Sequence, residues 1–282
     1  MNNLVVFGGT GFLGRRICQL GLENGFQVTS LSRSGKPPLN TSTNDKYWIK
    51  EVSWEKCDIF NPETYEKHLI DANNVVHTIG ILLEDENYKS KVRGTGGIFG
   101  GIFNPRKLIG SGSNPLKPKN NPYFSYEMMN KQSSLLLAQT FANVLKKQGI
   151  DDPLARTMTY VSADKGFPLI PKGYIESKRA AEVGIMKHED TFRPIIMRPG
   201  FMFDEYNESR HSDQQKDMRS RLKDVLEVLN YGNRLVLGNK LSCVNDLIRP
   251  TVSTQQVSRA IVSKIEDSTF RGVVSLEEIL NI

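Results

Sequence analysis

A doubly wound, parallel α/β sheet is predicted by three observations on this 282-residue chain. Apolar, strand-like runs alternate with helix-like stretches up to about residue 200, the pattern of a parallel sheet covered on both faces. The first run, Leu4 to Phe7, opens into Gly8-Gly9-Thr10-Gly11-Phe12-Leu13-Gly14. A helix-like stretch follows at once, from Phe12 to Glu23. Strand, glycine-rich turn and helix in that order form the phosphate-binding end of a Rossmann unit.

The glycines of the turn have separate tasks. Gly8 permits the tight turn, Gly11 lets backbone approach a pyrophosphate, and Gly14 lets the helix pack close to the strand. The helix N-terminus then offers N–H groups to an anion. The candidate cofactor loop is therefore the whole run: Gly8, Gly9, Thr10, Gly11, Phe12, Leu13 and Gly14.

Further along, Gln27 to Leu31 reads as a second strand. Asn61-Pro62-Glu63 is a helix start, with Asn61 as cap and Pro62 at the first helical position. Asn74 to Gly80 reads as another strand. A long helix is predicted from about Tyr126 to Lys147, with apolar Leu136, Leu137, Phe141, Val144 and Leu145 at helical spacing. Thr157 to Ser162 and Pro194 to Arg198 look like two further buried strands. Two segments break the rhythm. Residues 84–122 form an insertion rich in Gly, Pro, Asn and Lys, and loops of this length are usually functional or disordered. Residues 201–282 are expected to form a small irregular C-terminal lobe for substrate or partner, packed on the 1–200 Rossmann domain. Helices are predicted there near Met218–Leu229 and Gln255–Ile265.

A net charge of +6 is too small to argue for nucleic acid by itself. Cys18, Cys57 and Cys243 have neither metal spacing nor an even count, which favours a reducing or neutral compartment. No apolar run approaches the ~18 residues of a membrane span. The first strand begins by Leu4, which leaves no room for a cleavable presequence, so these signals point to the cytoplasm.

Tyr174 and Lys178 stand four apart, on one face of a helix opening after Pro171-Lys172-Gly173. In a reductase the tyrosine would protonate a carbonyl oxygen, and a nearby lysine cation would lower its pKa from about 10 towards neutrality. The lysine would also hold the nicotinamide ribose. Ser162, at a strand end, would donate a hydrogen bond to the same carbonyl oxygen. The plain alternative is a surface helix with a partly packed Tyr and a solvated Lys.

With Gly8–Gly14, Asp58, Asn130, Ser162, Tyr174, Lys178 and Arg198-Pro199-Gly200 in order, the chain resembles the extended or atypical short-chain dehydrogenase/reductase superfamily over roughly residues 3–265. More narrowly it resembles the fungal mitochondrial branch linked to coenzyme Q biosynthesis, a relative of the Rossmann-fold accessory subunit of respiratory complex I. Val5 to Cys18, Ser32 to Lys36, Gly80 to Glu84 and Tyr174 to Arg179 carry that likeness. The resemblance implies roles at matching positions. Asp58 would accept from the adenine amino group, with Ile59 against the ring, or else cap the turn near Asn61. Thr78, Ile79 and Gly80 would run beside the nicotinamide ribose, and Pro199, Gly200 and Phe201 would border the nicotinamide. Asn130 would support a proton relay through its backbone and water, or be a surface polar residue.

Cofactor choice is legible after the second strand. An NAD site usually carries an acid there for the ribose hydroxyls. Ser32-Arg33-Ser34-Gly35-Lys36 has none; Arg33 would pair with a 2′-phosphate while Ser32 and Lys36 add donors, which favours NADP(H) over NAD(H). Two functions follow. One is an NADPH-dependent oxidoreductase on a lipophilic, quinone-type intermediate of ubiquinone synthesis. The other is an accessory subunit, stabilised by NADPH, that regulates the coenzyme Q enzyme assembly. The basic, aliphatic 84–122 insertion suits peripheral contact with an anionic inner-membrane surface or a partner. An RNA-associated role is weaker, because no basic-aromatic stripe supports it. The resemblance implies mitochondria; import would then use an internal signal, for which Phe12–Leu22 with Arg15 and Arg16 is a candidate.

Overall fold

The computed structural model describes residues 2–38, 45–82, 123–150, 152, 156–165, 171–204 and 249–282. The 84–122 insertion, the helix expected near Met218–Leu229 and Cys243 lie outside the described residues. Seven parallel strands form the sheet: β1 Asn3–Phe7, β2 Gln27–Ser32, β3 Ser53–Lys56, β4 Asn74–His77, β5 Thr157–Val161, β6 Arg193–Met197 and, last in the chain, β9 Gly272–Val274. Their spatial order is β3-β2-β1-β4-β5-β6-β9. The order reverses between β1 and β4, and the crevice there, outside the carboxyl ends of the strands, is where open α/β sheets bind ligands.

The doubly wound layering follows from strand periodicity. Successive side chains on a strand face opposite sides, so a strand covered on both faces is apolar throughout. On β1, Leu4 and Val6 join one apolar cluster with Ile17 of α1 (Gly14–Glu23), while Val5 and Phe7 join the other with Leu137 and Phe141 of α4 (Ser133–Lys147). Helix α5 (Lys172–Met186) lies beside α4 and adds Ala181 and Ile185 to the second cluster. Between β2 and β4 lie α2 (Asp45–Glu51) and the short α3 (Glu66–Leu69).

Several expectations are corrected. The stretch from Tyr126 to Lys147 is not one α-helix: Glu127–Gln132 is π-helical and only Ser133–Lys147 is α. The turn at Asn61 is a 3-10 turn, Pro62–Thr64, although Asn61 caps it as expected by accepting from the Glu63 N–H at 3.3 Å. Residues 205–248 of the expected C-terminal lobe lie outside the described residues, and the described remainder packs on the main sheet. Helix α6 (Thr254–Glu266) buries Val257, Ile261 and Ile265 against the α1 face, and Gly272–Val274 pairs with β6 in the main sheet. Val252–Ser253 (β8) pairs with Met202–Phe203 (β7) in a small second sheet. A three-residue strand is too short to show periodicity, which is why the sequence alone conceals it. Ser253 opens α6 with a capping box, and α7 (Leu276–Leu280) opens the same way at Ser275. The other end of α6 is closed by buried Arg193 of β6. Its guanidinium donates to the carbonyls of Ile265 at 2.8 Å, Asp267 at 2.6 Å and Phe270 at 2.5 Å. No helix among the described residues is long and apolar enough to cross a membrane.

Candidate functional site

The glycine turn occupies the carboxyl end of β1, at the switch point. Gly8 has φ of 86°, accepts from Gly11 N–H at 2.8 Å and donates to the Leu31 carbonyl at 2.8 Å. A Cβ on Gly14 would stand 2.2 Å from the Gly8 carbonyl oxygen, and one on Gly9 would stand 2.2 Å from Ser30 Oγ. These contacts are closer than any real carbon makes, so the helix approaches the strand only because both residues lack side chains. Gly11 is exposed at the lip, with Thr10 and Phe12 half-buried beside it and Leu13 buried below in the core. Among the described residues no side chain caps the first turn of α1 and no acid lies in it, which suits an anion at that end.

At the end of β2, Ser32 and Ser34 shape the loop. Ser32 Oγ accepts from Gly35 N–H at 3.2 Å and Ser34 Oγ from Lys36 N–H at 3.3 Å. Arg33 and Lys36 are exposed. Asp58 is also exposed, and its Oδ1 accepts from Phe60 N–H at 3.0 Å, so the carboxylate does take part in the turn before Asn61. Ile59 is buried with Tyr65 and Leu69 in the core. Thr78 is tied back to β1, its Oγ1 donating to the Phe7 carbonyl at 2.8 Å.

Beyond Thr78 the chain enters a buried polar knot. Asn130 is fully buried in the π-helical segment, which corrects its reading as a surface residue. Its Oδ1 accepts from Ile81 N–H at 2.8 Å and its Nδ2 donates to the Ile81 carbonyl at 3.1 Å, clamping the loop after β4. Its own carbonyl accepts from Tyr160 Oη at 2.6 Å, so the acceptor expected to hold a relay water holds a phenol. Lys178 is buried too: its Nζ donates to the Val161 carbonyl at 2.8 Å and lies 4.8 Å from the Tyr160 ring centroid. Desolvation pushes the Lys178 pKa down from 10.5 to about 7, against the pull of nearby Glu182. His77, hydrogen-bonded to Ser133 Oγ at 3.0 Å, is pushed down to about 3 by burial and by the Lys178 charge, and is neutral. The notch that Gly80 leaves open adjoins this lysine: a Cβ there would be 3.2 Å from Lys178 Nζ and 3.0 Å from Asn130 Oδ1.

Ser162 and Tyr174 are placed differently from one another. Ser162 is buried at the end of β5, and its hydroxyl donates to Glu182 Oε1. The donor expected for a substrate carbonyl is thus taken up by a carboxylate. Arg179 reaches Glu182 Oε1 at 2.6 Å and Arg198 reaches Oε2 at 2.5 Å. Tyr174 is half-buried, its ring 6.1 Å from that of Tyr126, edge to face. Tyr126 Oη donates to the Leu82 carbonyl at 2.9 Å. Pro199, Gly200 and Phe201 follow β6; a Cβ on Gly200 would strike the Pro250 carbonyl oxygen at 2.7 Å, so this glycine serves packing against residue 250. Arg15 and Arg16, candidates for an import signal, both pair with buried Asp204.

Sequence reasoning passed over Glu182, Arg179 and Tyr160. A signal existed for the first two: Lys178, Arg179 and Glu182 are four and three apart on one helix turn, a spacing that brings side chains together. Tyr160 gave none, since an apolar strand hides a tyrosine whose hydroxyl reaches across to another element.

A parallel sheet in this order, with a glycine turn at its switch point and a buried lysine across the crevice, defines a protein of Rossmann-type fold. The profile of the NAD dependent epimerase/dehydratase family matches residues 4–93. MIOREX complex component 2 of Saccharomyces cerevisiae is 52% identical over 283 aligned positions, covering 98% of each chain. The chain belongs to the family of that yeast protein. Among solved structures, a short chain dehydrogenase/reductase family oxidoreductase of Burkholderia thailandensis has a TM-score of 0.58 at 11% identity, with 99% of this chain and 93% of that one covered. The UDP-glucose 4-epimerase of Thermus thermophilus, in complex with NAD, has a TM-score of 0.53 at 13% identity, covering 97% and 77%. At such identities these two likenesses speak for the fold alone.

Proposed function

We propose that the chain binds NADP(H) at the glycine turn and works as an oxidoreductase on a lipophilic quinone-type or carbonyl intermediate of coenzyme Q biosynthesis, as a member of a mitochondrial protein complex. The observation that carries the nucleotide part is the cradle itself: neighbours so close at Gly8 (Thr78), Gly9 (Ser30 and Cys18) and Gly14 (the Gly8 backbone) that no side chain fits, facing an uncapped helix end. Arg33 and Lys36, exposed beside it with no acid in the loop, are suited to a 2′-phosphate. Bound NADPH would supply a hydride. Gly80 would admit the ribose next to Lys178, Lys178 would hold its hydroxyls, and Tyr174 would hold the proton at its phenol oxygen. The coenzyme Q assignment rests on the resemblance of Val5–Cys18, Ser32–Lys36 and Tyr174–Arg179, and membership of a complex on the name of the yeast relative. Contact with the inner membrane would fall to the 84–122 insertion.

Titration with NADPH and NADH, in parallel with Arg33→Ala, tests the first part: NADPH should bind more tightly, and the variant should weaken it selectively. Binding of neither nucleotide overturns the proposal. Tyr174→Phe should abolish turnover and spare NADPH binding. The second reading, an NADPH-stabilised accessory subunit, is favoured by one observation, the Ser162 hydroxyl engaged by Glu182. On that reading Tyr174→Phe is silent in cells, whereas deletion of residues 90–118 disrupts the assembly. Organelle fractionation that finds the protein only in cytosol removes the mitochondrial part.

A further inference from the structure

The hydrogen-bond polarity of Ser162 has a consequence for ligand choice. Glu182 is buried and receives two guanidiniums: Arg179 Nη1 on Oε1 at 2.6 Å, and Arg198 through Nε on Oε1 at 3.1 Å and Nη2 on Oε2 at 2.5 Å. Facing two cations it is a carboxylate, and a carboxylate only accepts. The proton of the Ser162–Glu182 bond therefore belongs to the serine. Arg179 Nη1 also donates to Ser162 Oγ at 3.3 Å. That guanidinium is held in place by the Ala163 carbonyl at 2.9 Å and the Asp164 carbonyl at 3.1 Å. A serine hydroxyl has one proton and two lone pairs. The proton is engaged by Glu182. The two Arg179 Nη1 hydrogens have nearer acceptors in Glu182 at 2.6 Å and the Ala163 carbonyl at 2.9 Å, so among the described residues Oγ keeps lone-pair capacity and has no proton to give. It attracts a donor and repels a carbonyl oxygen.

We propose that Ser162 selects the hydroxyl-bearing member of the substrate pair: the ligand group beside it is an alcohol or phenol O–H, not a carbonyl oxygen. The inference rests on the oxidoreductase reading above, in which the hydroxyl-bearing member is the product that hydride and proton transfer would form from the carbonyl. It reverses the donor role that the sequence assigns to Ser162. Glu182 is then a positioning residue, acting through the serine and never touching the ligand. Val161, whose carbonyl holds Lys178, places this acceptor one residue away from the buried lysine.

Ligand-observed NMR with the full-length protein and three six-carbon ring probes tests it, with no nucleotide added so that no hydride moves. Phenol or cyclohexanol should bind about tenfold more tightly than cyclohexanone, the cost of facing acceptor with acceptor. Phenol ahead of cyclohexanol assigns an aromatic hydroxyl, and the reverse an aliphatic one. Ser162→Ala should level the three affinities. Glu182→Ala should do so by a different route, raising cyclohexanone binding because the serine proton is released. A preference for cyclohexanone, equal binding by the wild type, a hydroxyl preference that survives Ser162→Ala, or binding of no probe each overturns the proposal. Because Glu182→Ala removes a buried charge partner, Ser162→Ala decides if that variant does not fold. A separate NADPH titration reports on the nucleotide site, so failure here and failure of the oxidoreductase reading are distinguishable.

Discussion

The two ends of the crevice are built on opposite principles. At the β1–α1 turn the working parts are backbone and missing side chains, all within seven consecutive residues. At the β5–α5 end the working parts are side chains that satisfy one another across long sequence distances: Ser162 with Glu182, Tyr160 with the Asn130 carbonyl, Lys178 with the Val161 carbonyl. The first end is stiff because it has no room. The second is poised, because it contains a buried lysine and a buried carboxylate whose partners set their charge and direction. A motif made of glycines predicts its own geometry; a motif made of Tyr and Lys does not.

The largest expected effect tests the stiff end. Gly14→Ala places a methyl 2.2 Å from the Gly8 carbonyl oxygen, against backbone that has little room to move. Urea unfolding should show a loss of about 3 kcal/mol, with nucleotide binding lost as well. A variant of unchanged stability would mean that the turn is softer than its contacts imply. Arg193→Ala is the control remote from both ends. Removing a buried cap from three carbonyls should cost about 2–3 kcal/mol and leave nucleotide affinity in the folded protein unaltered. A change in affinity would show that the far edge of the sheet reaches the crevice.

Lys178→Met probes the poised end and has the opposite sign. The folded pKa of Lys178 lies near 7, below its ordinary 10.5, so between these values the unfolded chain binds a proton that the folded one does not. Wild-type stability should therefore rise with pH across that window, and below it the full burden of burying the cation is present. Lys178→Met should be more stable than wild type at pH 7, by about 2 kcal/mol, with the advantage shrinking as pH climbs towards 10.5. An advantage that stays constant would place the stabilising cause elsewhere. Arg33→Ala should have the smallest effect: about tenfold weaker NADPH binding by titration, NADH unchanged, and no shift in unfolding midpoint, since the side chain is exposed.

Legibility followed the same division. The β1 run, the glycine turn, the Asn61 cap and the strands at 74, 157 and 194 were readable because each depends on neighbours in sequence. Gly272–Val274 was not, because three residues carry no period, and its place beside β6 depends on α6 folding back over α1. Asn130 illustrates the limit. Its position near the start of the long helix was evident, but whether it faced water or the core depended on a π-helical turn and on Ile81, 49 residues away. Ser162 was found at its strand end, yet its role as donor or acceptor was set by Glu182 on the next helix.

By itself, the sequence determined the Rossmann class, the glycine turn after the first strand and the candidate pair Tyr174 and Lys178, since strand periodicity, glycine spacing and helical spacing are local. Only the tertiary structure decided which hydroxyl gives its proton, which lysine loses its charge near neutrality and which asparagine is buried. Those properties belong to the dielectric and the partners around a group, and both come from segments that meet only when the sheet has formed.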